Sequence, residues 1–339
     1  MRSMPLILVL AGAAGVASYG IAGWVRGYAV RRAMLDIPNA RSSHTAPTPR
    51  GGGLAIVFCV LAIATAGSLA GLVELRLAVA LAGGGGLVAL AGWLDDRRGL
   101  GAGPRLACHI AAATWAAAWL GGLPVLALPS GALTLGLPGG LLAVVGIVWA
   151  TNLFNFMDGI DGLAAGEAVT LGSAGVLLLI AGGASGAILL PAAVTTASLG
   201  FLSWNWAPAR LFMGDVGSGF LGFAFAVLAI WSERTGDASL LLWGVAAMAF
   251  VFDATVTLAR RLGRREGLVA AHRHHAYQRL TRSGLGHAQV VGLYTLLNLA
   301  LLGLALAGRV GWVHPFLAVG LAIAVCAFAY LAVERRQPM

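Results

Sequence analysis

Residues 152 to 162 read Asn-Leu-Phe-Asn-Phe-Met-Asp-Gly-Ile-Asp-Gly, a knot of amides, carboxylates and glycines that ends one apolar run and precedes another. Hydrocarbon cannot solvate a carboxylate, so Asp158 and Asp161 must face water, a protein pocket or a cation. Asp95 and Asp96 close an earlier apolar run. Adjacent carboxylates repel unless a cation or a raised pKa intervenes, which points to metal chemistry or proton abstraction. Asp215 follows Gly214 at the threshold of a third run, where free helix-start amides beside a carboxylate suit a phosphate-bound Mg²⁺. Any one of these acids can be a solvated helix end or a cap. Three such groups, all in glycine-bearing contexts on one side of a membrane, call for a function.

Two basic segments complete the set. The first runs from Asp36 to Gly53 and contains Arg41, His44 and Arg50. Its prolines stiffen it, and Gly51, Gly52 and Gly53 are expected to let backbone amides approach a phosphate or an anionic headgroup. A basic loop resting on anionic lipid is the plain alternative. The second holds His272, Arg273, His274, His275 and Arg279. No cysteine or carboxylate stands at usual zinc spacing beside it, so contact with a pyrophosphate is the better expectation.

The elements that position these residues are membrane spans. Of 339 residues, 59% are hydrophobic and only 10% charged, with a mean hydropathy of +0.87; a soluble chain carries about 25% charge. The expected fold is an all-α polytopic bundle forming one domain over residues 1–339. Its eleven spans run approximately Pro5 to Val25, Gly52 to Leu72, Leu77 to Leu94, Leu106 to Leu128, Leu137 to Phe156, Glu167 to Gly183, Ala187 to Ser203, Val216 to Trp231, Leu240 to Ala259, Ala288 to Ala307 and Phe316 to Val333. The first resembles a secretory signal but continues to Val25 and is followed by arginines, so it is read as retained. A small hairpin is expected near Pro129 to Pro138. Cys59, Cys108 and Cys326 lie singly in apolar runs and offer no disulfide or metal spacing.

The net charge is +9 and every basic residue is arginine. Eighteen of the 22 arginines fall in one set of connections, which by the positive-inside rule faces the cytoplasm, leaving the N-terminus outside and the C-terminus inside. All the acids named above lie on that side.

In order, Pro49-Arg50-Gly51-Gly52, Asp95-Asp96, Asn152 to Gly162, Phe212-Met213-Gly214-Asp215-Val216-Gly217-Ser218 and the His272 loop resemble the motifs of the polyprenyl-phosphate N-acetylhexosamine-1-phosphate transferases, the MraY/WecA-like family, over nearly the whole chain. The resemblance implies transfer of a sugar-1-phosphate from a UDP-N-acetylhexosamine to a polyprenyl phosphate, releasing UMP, at the cytoplasmic face of the inner membrane. It implies Mg²⁺ as cofactor, with Mn²⁺ an allowed substitute, held by Asp215 and Asn155. Asp95 is then the candidate to deprotonate or position the lipid phosphate, and Asp96 to support it. Asn152, Asn155, Asp158 and Asp161 match the nucleotide and metal-proximal loop. Arg41, His44, Arg50, Gly214, His272, Arg273, His274 and His275 are expected to bind substrate. Membrane lipids and a second copy of the chain are admitted as partners, and nucleic acid is not.

Arg97 and Arg98 after the acid pair, and the interrupted histidine run, depart from the peptidoglycan branch. They favour UDP-GlcNAc, UDP-FucNAc or UDP-QuiNAc over a muramyl-pentapeptide donor, and O-antigen or exopolysaccharide initiation over peptidoglycan synthesis. Direct attack and a covalent phospho-aspartate are both open. A transporter is the rival class, since many spans and membrane-edge acids suit ion coupling and Asp253 lies deeper in its span; a lipid-diphosphate phosphatase is the rival enzyme.

Overall fold

The computed structural model describes residues 4–38, 46–123, 125–128, 131–184, 186–266 and 272–339. Arg41 and His44 lie outside the described residues. The helices are α1 (Met4–Arg31), α2 (Leu54–Leu69), α3 (Leu75–Val79), α4 (Gly86–Arg98), α5 (Ala102–Leu120), α6 (Gly136–Met157), α7 (Leu163–Ala181), α8 (Leu189–Asn205), α9 (Asp215–Thr235), α10 (Leu240–Ala246), α11 (Met248–Gly263), α12 (Ala276–Arg282), α13 (His287–Arg309) and α14 (Pro315–Arg336). Two short antiparallel ribbons accompany them: β1 (Leu35–Asp36) with β2 (Thr48–Pro49), and β3 (Val125–Leu128) with β4 (Gly131–Thr134). The second ribbon is the expected hairpin, set a few residues earlier than Pro129 to Pro138. It takes over the end of the fourth expected span, because α5 stops at Leu120, before Gly121.

All eleven expected stretches become helical, but they are not equally long. Among the described residues seven helices are long and apolar enough to cross a membrane, or eight if α10 and α11, bent by 79° at their junction, count as one. The helices α2 and α8 have 16 and 17 residues. At about 1.5 Å per residue they fall short of a hydrocarbon core about 30 Å thick. The chain is a multi-pass membrane protein.

Small residues set the packing, as expected where lipid removes most of the hydrophobic incentive for helices to associate. A Cβ on Gly200 of α8 would stand 2.2 Å from the Gly15 carbonyl of α1. The same interface is tied by Ser18 Oγ to the Ala197 carbonyl at 2.7 Å and by Trp204 Nε1 to the Tyr19 carbonyl at 3.0 Å. Between α3 and α4, residues Ala80–Gly85 form a π-helical turn. Such a turn disturbs the regular backbone ladder, and Trp115 Nε1 of α5 donates to the Val79 carbonyl just before it, at 3.0 Å. A Cβ on Gly84 would meet Phe223 of α9 at 2.4 Å.

The most enclosed of the long helices is α9. Its most apolar stretch is 89% buried, against 28% for α1 and 22% for α14. It begins at Asp215, and the ends of α2, α4 and α6 close around that start.

Candidate active site

The acid pair sits on the last turn of α4, in the helix rather than in the loop after it, and helix geometry separates the two roles. Successive residues point about 100° apart. Asp95 faces Arg105 of α5: one guanidinium nitrogen, Nη1, lies 2.9 Å from Asp95 Oδ2 and 2.9 Å from Asp215 Oδ2. The other Asp95 oxygen accepts the Leu100 amide. Asp96, one step round the helix, faces the start of α9 and is buried. Its two oxygens accept the Asp215 and Val216 amides at 3.1 and 3.2 Å, so it caps α9 and occupies the free amides expected to meet a phosphate. Asp96 thereby fixes the start of α9 against the end of α4.

The glycines make this junction possible. Gly214 has φ +75°, and a Cβ there would lie 2.4 Å from Asp96 Oδ2. On Gly92 a Cβ would stand 2.5 Å from the Asp215 and Val216 backbone. Gly53 and Gly217 meet almost Cα to Cα, with a Cβ on Gly53 falling 2.3 Å from the Gly217 Cα. This corrects the expectation for the Gly51–Gly53 segment. The Gly52 and Gly53 amides do not await a ligand; they donate to the Phe212 and Met213 carbonyls at 2.9 and 2.8 Å, while the Phe212 amide donates to Pro49. The loop is zipped onto the approach to α9. It brings Arg50 near Asp96, with a buried Nε that has no partner among the described residues.

On α6, Asn155 Nδ2 donates to Ser218 Oγ of α9 at 3.1 Å, and the same amide interacts with the Asp215 carboxylate. Asn152 lies a turn earlier, donates to its own helix at the Val148 carbonyl and approaches His109 of α5. Asp158 caps the end of α6. Burial, then the negative charges of Asp215, Asp96 and Asp161, raise its pKa well above the usual carboxylate range. Four carboxylates thus share one neighbourhood. Asp161 is tied down: its Oδ2 accepts the Ala209 amide at 3.0 Å and lies 3.2 Å from His287 Nδ1 at the start of α13. It borders a cavity of about 430 Å³ lined also by Thr48, Pro208, Phe212 and His287.

The interrupted histidine run still converges. The His272 ring centroid lies 5.6 Å from that of His274 and 4.9 Å from that of His275. Burial, then the charges of His275 and Arg261, bring His272 down to about 4; burial first also lowers His274. Both are neutral at pH 7 and can donate or accept a hydrogen bond. His275 is buried, caps α12 and lies 3.5 Å from Asp253. Tyr277 fastens this loop to the acids: its hydroxyl donates to the Phe156 carbonyl at 3.0 Å and fills the space a Cβ on Gly159 would take. Arg273 lies half-buried between the imidazoles in sequence.

The profile of glycosyl transferase family 4 matches residues 77–233, the stretch that carries all five acids and both asparagines. A protein of Bacillus subtilis (strain 168) named "Probable undecaprenyl-phosphate N-acetylglucosaminyl 1-phosphate transferase" is 30% identical over 271 residues, 79% of this chain and 75% of that protein. The chain belongs to glycosyl transferase family 4, the MraY/WecA-like transferases. A decaprenyl-phosphate N-acetylglucosaminephosphotransferase of Mycolicibacterium smegmatis is 30% identical over 321 residues, 84% of this chain and 77% of that protein. A phospho-N-acetylmuramoyl-pentapeptide-transferase of Symbiobacterium thermophilum is 36% identical over 196 residues, 55% of this chain and 57% of that protein.

Within this family 4 member, some residues do jobs their sequence context conceals. Asp253, the pointer to a transporter, is a scaffold: its carboxylate accepts from the Ala276 amide at 2.8 Å, Thr257 Oγ1 at 3.1 Å and Tyr294 OH at 2.7 Å. Arg279 is no phosphate ligand; it is fully buried, pairs with Glu334 of α14 and stacks 4.7 Å over Tyr330. Arg105 and His287 were missed as site residues. For Arg105 a signal was present, since a cation in the first turn of α5 opposes the helix dipole and needs an anionic partner.

Proposed function

We propose that this transferase moves an N-acetylhexosamine-1-phosphate from a UDP-sugar to a polyprenyl phosphate and releases UMP, starting a cell-surface polysaccharide. The observation that carries it is the meeting of Asp95, Asp215, Asn155 and Asp158 at one arginine-rich end of the bundle, where a water-borne donor can reach a bilayer-bound acceptor. We place that end at the cytoplasmic face of the inner membrane. A lipid phosphate oxygen would bond to the sugar-bearing phosphorus as its bond to the bridging oxygen breaks, with UMP carrying the electron pair away.

Two carboxylates joined by Arg105, with the Asn155 side chain beside them, suit Mg²⁺. That ion takes one or two carboxylates and completes its shell with phosphate and water. Asp215, Asn155 and Asp95 would hold it, and it would supply charge neutralisation for the two meeting phosphates. Asp95 also orients the attacking lipid phosphate, and Asp158 presents a carboxyl beside it. His272, His274 and Arg273 provide donors for the diphosphate. Arg50 adds positive charge from the α2 side. The cavity beside Asp161 gives the nucleotide room.

Purified protein with Mg²⁺, polyprenyl phosphate and a panel of labelled UDP-sugars tests this. UMP release that requires both the lipid and the metal is expected, with UDP-GlcNAc, UDP-FucNAc or UDP-QuiNAc preferred over the muramyl-pentapeptide donor. Inorganic phosphate instead of UMP would turn the reading to a phosphatase.

A further inference from the structure

Arg105 and Arg279 are both ion-paired, and their settings differ. Arg279 is fully buried, bonded to Glu334 and the Gln337 carbonyl and stacked on an aromatic ring; nothing in its setting allows it to leave. The Arg105 side chain is 28% exposed and reaches out from the first turn of α5. Among the described residues its side chain bonds to two carboxylate oxygens, on α4 and α9, through a single nitrogen. Those oxygens, Asp95 Oδ2 and Asp215 Oδ2, belong to the groups assigned above to a divalent ion. A guanidinium and a divalent cation compete for them, because their charges repel at that range and each weakens the other's hold on the same oxygens.

We infer that Arg105 is a resident counter-ion for this site: it neutralises Asp95 and Asp215 until a divalent cation and a nucleotide diphosphate arrive together, and then transfers its guanidinium from the carboxylates to the diphosphate. This rests on the metal assignment proposed above. The physical reason is that two ionised carboxylates brought together by α4 and α9 must be neutralised by something, and a phosphate-bearing ligand offers the fork a better partner than it gives up. The consequence is thermodynamic coupling. Metal alone must displace Arg105 into solvent, whereas metal with nucleotide gives it a new partner, so each should tighten the other.

Mn²⁺ binding to the purified chain in lipid nanodiscs, read from the loss of the free-ion EPR signal with and without UDP, tests the inference without turnover. The wild type should bind Mn²⁺ weakly alone and about tenfold more tightly with UDP. Arg105→Gln should bind Mn²⁺ more tightly than wild type in the absence of nucleotide and lose most of the UDP effect. Arg105→Lys, whose ammonium can still bridge both acids, should keep weak binding alone. Arg97→Gln, on the exposed end of α4, removes the same charge without the contact and should leave Mn²⁺ binding close to wild type. If Arg105→Gln, folded as judged by its thermal transition, matches wild type or Arg97→Gln, the inference is overturned. If no variant, with or without UDP, takes up Mn²⁺, the metal assignment itself fails and the inference falls with it.

Discussion

Two carboxylates adjacent in sequence ask different things of their neighbours, and substitution should separate them. Asp96 gives both oxygens to backbone amides. Asp96→Asn would turn an NH₂ toward a buried N–H and cost about 1 to 3 kcal/mol, visible as a lower thermal midpoint along with lost turnover. Asp95 is only 16% exposed, but its partner Arg105 is 28% exposed, and an ion pair open to water on one side is worth about 1 kcal/mol or less. Asp95→Asn should therefore keep its midpoint while losing about 100-fold or more in rate. Equal loss of stability in both would refute the division. The sequence marked both acids and could not assign them, because which of two consecutive helical residues meets the site depends on the neighbouring helix. The histidine loop makes a further demand. His272 is held at about 4 in the fold, against about 6.5 when unfolded. The unfolded chain takes up the proton first, so stability should be full above about pH 6.5 and fall toward pH 4. His272→Gln should flatten the midpoint across that window; an unchanged slope would exclude His272 as its source.

Elements hold the site by close approach, and this was the least legible part of the sequence. The periodic apolar runs announced the helices, and Gly214 before Asp215 announced a helix start. Nothing announced that Gly92 faces the α9 backbone, since a glycine in an apolar run looks the same whether it faces lipid or another helix. Gly92→Ala puts a methyl 2.5 Å from backbone atoms that cannot rotate away. Overpacking of this kind costs about 1 to 3 kcal/mol, and it would push α4 from α9 and part Asp95 from Asp215. Activity should fall at least as far as for Asp95→Asn although no polar group has been touched. A near-normal rate would show that α4 can shift without disturbing the acids.

For the whole molecule, charge sets orientation and orientation sets which substrate arrives from where. The candidate-site acids, the histidine loop and the arginines at the ends of α1, α4, α11 and α14 share one end of the bundle. Composition and arginine placement were enough to foresee that, because the membrane imposes it on any such chain; the bend between α10 and α11 and the shortness of α2 and α8 were beyond them, since both depend on which neighbours cover a helix. A cysteine introduced by Arg97→Cys should react with a membrane-impermeant maleimide in inverted vesicles and not in intact spheroplasts. One introduced by Trp312→Cys, in the exposed turn between α13 and α14, should do the reverse. Labelling of both from one side would break the proposed orientation.

The burial of α9 limits how such a protein can diverge. A helix enclosed along nearly its whole length cannot be retuned without disturbing every partner, whereas the surface around the cavity beside Asp161 and the imidazole turn is built from connecting chain. Retargeting to another nucleotide sugar, by natural drift or by library selection, should therefore accumulate changes at residues 206–212 and 272–274 and leave the central rod almost unaltered.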